Sequence, residues 1–215
     1  MLVTDRSLAA GPDDLVRRIA AAIAGGVNAV QVREKDLPDT ELLELTRRVQ
    51  AVAAGHAFVT VNGRANVALA ADADGVHTGE DALPLRSLKR AVRGRLCLGR
   101  SVHDLQGAVS AERDGADYLV LGTIFPSRSH PGGTTGGSER VRQVAAAVRV
   151  PVIAIGGITA GNTARVVGAG ASGVAVITAI LGQADPQAAA AALREALDGA
   201  IIEAPAEAVV AKRNR

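Results

Sequence analysis

The chain has 215 residues, of which 48% are hydrophobic, 21% charged and 1% aromatic. That is long enough for one domain with a sizeable core, or at most two small ones, and too apolar for a disordered chain. A net charge of +2 and a near absence of aromatic side chains argue against a nucleic-acid partner, although the pI of about 9.1 leans basic.

Short runs rich in Val, Ile and Leu predict strands over residues 1–4, 29–32, 58–61, 75–77, 96–99, 118–122, 152–155 and 174–177. Helical patterns fall between them, over residues 13–24, 39–54, 65–71, 85–92, 105–114, 139–148, 163–168 and 186–197. The second helix shows its period best, with Leu42, Leu45, Val49 and Val52 at three- and four-residue steps. Pro38, Asp39 and Thr40 introduce it and Gly55 ends it. Several strands are apolar throughout, as expected when both faces of a parallel sheet are covered. Helix-to-strand junctions of one kind recur, as in Gly26-Val27-Asn28, Ala73-Asp74-Gly75, Gly115-Ala116-Asp117 and Gly170-Ala171-Ser172. The strict alternation predicts an α/β fold: a single-domain (β/α)8 TIM barrel over residues 1–199, with a doubly wound open sheet as the alternative. Residues 200–215, ending Lys212-Arg213-Asn214-Arg215, read as a flexible tail without function. No run reaches the ~18 apolar residues of a membrane span and no signal pattern opens the chain, so no membrane partner is expected. Cys97 stands alone, which excludes a disulfide framework and suits a cytoplasmic location.

A barrel of this kind works at the C-terminal ends of its strands. After the second strand, alternation in Gln31-Val32-Arg33-Glu34-Lys35 puts Gln31, Arg33 and Lys35 on one side, where the two cations suit an anionic group such as pyrophosphate. Asn62, after the third strand, could meet a heterocycle edge or simply belong to an Asn-Gly turn. Arg100 and Ser101, after the fifth, could face a ligand or cap the next helix. The long stretch from Thr123 to Ser138 reads as a binding loop or lid, with Ser127, Arg128, Ser129 and His130 suited to phosphate binding and proton transfer. The sharpest signal is Ile155-Gly156-Gly157-Ile158-Thr159 paired with Gly173 to Thr178: Gly156, Gly157, Ile177 and Thr178 form the expected phosphate site.

Taken in order, these residues resemble the thiamine-phosphate synthase / thiazole tautomerase (TenI-like) family. The matched stretches are Val3-Thr4-Asp5, Gln31 to Lys35, Val61-Asn62-Gly63-Arg64, Asp74-Gly75-Val76-His77, Gly115 to Tyr118, Ile155 to Ile158 and Gly173 to Ile177. The resemblance implies a barrel acting on a small phosphorylated thiazole. In the synthase branch it implies coupling of hydroxymethylpyrimidine pyrophosphate to thiazole phosphate with Mg²⁺. Gly63 and Ala82 stand where that branch carries metal carboxylates, and His130 where it carries a lysine. The tautomerase branch shares Val61 to Arg64 and Gly99 to His103 and needs no metal; its proton-transfer histidine position holds Thr123. The expectation is therefore a metal-free thiazole tautomerase, an isomerase, with His130, Thr123 and Ser101 catalytic and Gln31, Arg33, Lys35, Asn62, Arg100, Ser127 and Ser129 binding substrate. The alternatives are the Mg²⁺-dependent synthase and a non-catalytic protein that binds thiazole or thiamine phosphate. A homo-oligomer is compatible with any of them.

Overall fold

The computed structural model describes residues 1–127 and 135–203. Eight parallel strands follow one another in chain order: β1 (Leu2–Val3), β2 (Ala29–Val32), β3 (Phe58–Asn62), β4 (Gly75–Thr78), β5 (Cys97–Val102), β6 (Tyr118–Leu121), β7 (Val152–Ile155) and β8 (Gly173–Ala175). A bridge between Leu2 and Val176 closes the ring, with Val3 N–H donating to the Val176 carbonyl at 2.9 Å. The fold is the (β/α)8 barrel that alternation predicts.

The helices are α1 (Pro12–Ala24), α2 (Asp39–Ala53), α3 (Ala65–Ala71), α4 (Leu85–Val92), α5 (Leu105–Arg113), α6 (Gly137–Ala147), α7 (Ala160–Val167), α8 (Thr178–Leu181) and α9 (Pro186–Glu203). Their apolar stripes bury against the sheet: Leu15, Val16 and Ile19 from α1, and Leu42, Leu45 and Val49 from α2. Two differences from the sequence reading have local causes. Helix α7 starts three residues early because Thr159 and Asn162 form a reciprocal capping box. A one-turn helix, α8, follows β8 where only a connection was expected. Helix α9 runs through the boundary set at residue 199, and the tail from residue 204 lies outside the described residues. Among the described residues no helix is long and apolar enough to cross a membrane.

Candidate active site at the barrel mouth

Strand alternation decides which side chains face the interior. Gln31 on β2, Thr60 on β3, His77 on β4, Gly99 and Ser101 on β5, and Tyr118 on β6 share the inner side. Gln31 is 4% exposed, and its amide has no hydrogen-bond partner among the described residues. Arg33, one step further up the same face, lies close enough to depress the basicity of His77, and its guanidinium has no partner either. A buried amide and a cation left unsatisfied at the open end of a barrel are groups that a bound anion or heterocycle would satisfy.

Lys35 does not continue that face. Strand β2 ends at Val32, Glu34 folds inward, and Lys35 sits exposed in the loop with its carbonyl accepting from Arg64 at 2.9 Å. Buried Glu34 accepts from Thr4 Oγ1 at 2.6 Å and from Arg6 N at 3.2 Å, tying the β2 loop to β1. Burial pushes its carboxyl above the usual carboxylate range.

Arg100 needs correction as a substrate contact. Its neighbour Ser101 faces in, so Arg100 must face out, and its guanidinium donates to the carbonyls of Gly79, of Glu80 at 3.2 Å and of Leu83 at 2.8 Å. It pins the β4–α4 loop. Asn62 stands half-buried at the end of β3, opposite His77. His77 itself is 1% exposed, with Nε2 2.9 Å from Ser101 Oγ and Nδ1 3.2 Å from the Tyr118 hydroxyl. Burial, with Arg100 and Arg33 nearby, depresses its pKa to about 3, so the ring is neutral at physiological pH. The sequence names Ser101 among the expected catalytic residues, and what it does not show is the pairing of Ser101 with His77 across two strands.

The β6–α6 loop is gathered at its base: Gly136 N–H donates to the Thr123 carbonyl at 3.0 Å, and Ile124 N–H to the Ile155 carbonyl at 3.0 Å. A Cβ on Gly156 (φ +99°) would lie 2.5 Å from Thr123 Cγ2, and one on Gly157 (φ +63°) 2.4 Å from the Pro126 carbonyl oxygen. These glycines are required by the packing of loop on turn. Neither donates its N–H to an acceptor among the described residues, and nor does Ile177. Asn162 holds the turn by donating to the Gly157 carbonyl at 2.9 Å. Thr178 is exposed at the start of α8. Ser127 Oγ is buried without a partner and ends the described part of the loop; Arg128, Ser129 and His130 lie outside the described residues.

The donor set does not fit a protein-held magnesium ion. Gly63 and Ala82 offer no side-chain oxygen, and no group of three His, Cys, Asp or Glu converges among the described residues. Most carboxylates near the mouth are committed: Asp5 to Ser7, Glu34 to Thr4, Asp36 to Arg6, Asp39 to Arg64 and Asn66, and Glu80 to His103 at 3.7 Å. Exposed Asp81, beside Ala82, has no side-chain partner among the described residues and is one carboxylate alone.

An eight-stranded barrel with a cationic mouth, free backbone N–H groups in the turn after β7 and a one-turn helix after β8 defines a barrel suited to phosphorylated ligands. Comparison with known proteins narrows the class. The thiamine monophosphate synthase family model matches residues 1–180, and the chain belongs to this family. A thiamine-phosphate synthase of Anaeromyxobacter dehalogenans is 46% identical over 189 residues, 87% of this chain and 85% of that one. One from Roseiflexus castenholzii is 44% identical over 195 residues, 89% and 85% of the two chains. A solved thiamine phosphate pyrophosphorylase from Pyrococcus furiosus superposes with a TM-score of 0.85 at 35% identity, covering 93% of this chain and 95% of that one. These relatives carry the synthase name, which overturns the expectation of a thiazole tautomerase and of isomerase activity. That expectation rests on the departures from the synthase pattern at Gly63, Ala82 and His130, although Thr123 departs from the tautomerase pattern as well.

Proposed function

We propose that this protein is a thiamine-phosphate synthase, a transferase that joins hydroxymethylpyrimidine pyrophosphate to thiazole phosphate and releases pyrophosphate. The observation that carries the reading is the pair at the C-terminal end of β2: a Gln31 amide in a residue 4% exposed, and the Arg33 guanidinium just past the strand, neither with a side-chain hydrogen bond among the described residues. Gln31, Asn62 and Ser101 address the pyrimidine. Arg33, joined by Lys35 from the loop, neutralises the pyrophosphate as charge builds on the leaving group. The N–H groups of Gly156, Gly157 and Ile177, with the Thr178 hydroxyl, take the thiazole phosphate. Thr123 packs on the turn at Gly156, and the buried, unpartnered hydroxyl of Ser127 is offered as a further substrate contact; the expected roles of Ser129 and His130 fall outside the described residues. Such an enzyme belongs in the cytoplasm with its small phosphorylated substrates.

Magnesium is the cofactor that the family resemblance attaches to this coupling. The side chains here do not supply its ligands at the family's positions, and the roles above assign it no step. The deciding experiment is a coupling assay of purified protein with both substrates, run with Mg²⁺ and with a chelator, following thiamine phosphate. Product in either condition supports the reading. No product in both, at substrate concentrations that saturate binding, overturns it.

A further inference from the structure

Behind Ser101 the barrel interior holds a chain of polar groups, His77 and Tyr118, that the ligand contacts above do not use. The Tyr118 hydroxyl on β6 lies 3.2 Å from His77 Nδ1, while His77 Nε2 lies 2.9 Å from Ser101 Oγ. The His77 and Tyr118 rings are 5.6 Å apart between centroids. Gly99 makes the meeting possible, because a Cβ there would fall 2.4 Å from the Tyr118 hydroxyl and 2.5 Å from His77 Nδ1. The chain runs from the closed interior to Ser101, which is half-buried at the mouth.

A neutral imidazole has one N–H and one lone pair, so the chain can point only one of two ways. In one direction Ser101 donates to His77 Nε2 and His77 Nδ1–H donates to Tyr118, whose own proton then has no acceptor among the described residues. In the other direction Tyr118 donates to His77 Nδ1 and His77 Nε2–H to Ser101, while Thr60 keeps its own hydrogen bond to the Val30 carbonyl. The buried donors of the chain then each meet an acceptor, and the one proton left over belongs to Ser101, where a ligand can take it.

We propose that His77 is a positioning residue: its Nε2–H holds Ser101 Oγ as an acceptor and turns the Ser101 proton into the mouth. Ser101 is thereby a fixed donor. It selects a heterocycle that presents a lone-pair ring nitrogen and rejects one that presents N–H at that point. The burial that keeps His77 neutral keeps this polarity constant across the physiological pH range. That the heterocycle is the pyrimidine substrate rests on the synthase reading; the direction of the chain does not.

Two measurements test the inference on the full chain. Long-range ¹H–¹⁵N correlation spectra, with the His77 signals assigned by their loss in His77→Gln, should show a protonated Nε2 and a bare Nδ1, unchanged between pH 7.5 and pH 5.5. A protonated Nδ1, or a cationic ring at pH 5.5, overturns it. Binding of hydroxymethylpyrimidine pyrophosphate should weaken about 5–10-fold in Ser101→Ala and in His77→Leu, the usual worth of one hydrogen bond. The double variant should bind no worse than either single one. His77→Gln, whose amide can accept from Tyr118 and donate to Ser101, should recover most of the loss even if His77→Leu folds poorly. Losses that multiply in the double variant overturn the inference. Failure of the wild type to bind this ligand overturns the synthase reading alone, and the tautomer still decides the chain.

Discussion

Replacing Gly99 by Ala tests the packing on which the mouth is built. The new Cβ would lie 2.2 Å from Tyr118 Cζ, 2.4 Å from its hydroxyl oxygen and 2.5 Å from His77 Nδ1. Restoring ordinary contact requires the Tyr118 ring to retreat by about 1.2 Å, enough to part it from His77, in a barrel interior that has little free space. Overpacking of this kind costs about 1–3 kcal/mol. Separating the hydroxyl from the imidazole leaves buried polar atoms unpaired, at about 1–3 kcal/mol more. The expected loss is about 2–6 kcal/mol, a large part of the roughly 5–15 kcal/mol that holds a domain together. At about 2–4 °C per kcal/mol for a chain of this size, Tm should fall by roughly 4–24 °C. Urea unfolding followed by circular dichroism measures it, with Gly173→Ala as the control, since a Cβ at Gly173 meets nothing within 4 Å. A loss under about 1 kcal/mol would refute the argument, because it would mean that the inner layer yields without breaking its hydrogen bonds.

Arg33→Gln should weaken pyrophosphate binding by about 10–100-fold, the range for a hydrogen bond to a charged group, and calorimetric titration showing unchanged affinity would place the anion elsewhere. Gly157→Val, at φ +63° and with its Cβ 2.4 Å from the Pro126 carbonyl oxygen, should lower both stability and inorganic-phosphate affinity; retained phosphate binding would remove this turn from the site. His77 contributes pH-dependent stability of a definite sign. Its pKa falls from 6.5 to about 3 on folding, so the unfolded chain binds the extra proton, and stability is full above pH 6.5 and declines as pH drops toward 3. Between pH 7 and pH 5 wild type should lose about 2 kcal/mol more than His77→Gln in denaturant titrations, and parallel profiles would show that the ring is not kept neutral.

The barrel was legible because its signals are local: a strand is a run of Val and Ile, and a helix is a stripe such as Leu42, Leu45 and Val49. Alternation also placed Gln31 and Arg33 together on the inner face. It does not reach Lys35: the strand ends at Val32, Arg33 still lies near His77 one residue past it, and Glu34 is then buried while Lys35 is exposed. Arg100 and Ser101 were both assigned to ligand although adjacent strand residues face opposite sides, and the structure gives Ser101 to the interior and Arg100 to the loop. The link from His77 to Tyr118 spans 41 residues and depends on the missing side chain of Gly99, a cross-strand fact that no spacing within one segment carries. The choice of branch failed differently. Single positions such as Gly63 and Ala82 were read as chemistry, whereas identity spread along most of the chain points to the synthases.

The outward turn of Arg100 has a consequence for how this barrel can change over evolutionary or laboratory time. The β4–α4 loop hangs from one guanidinium through three carbonyls, those of Gly79, Glu80 and Leu83, a group that every amino acid possesses. The loop's path is therefore dictated by a residue outside it, and the side chains at Glu80, Asp81 and Ala82 can be exchanged without redrawing that path. A new acidic or basic group can be introduced there and arrive at a known place beside the mouth, which makes this loop the natural position for grafting altered ligand preferences onto an otherwise unchanged scaffold.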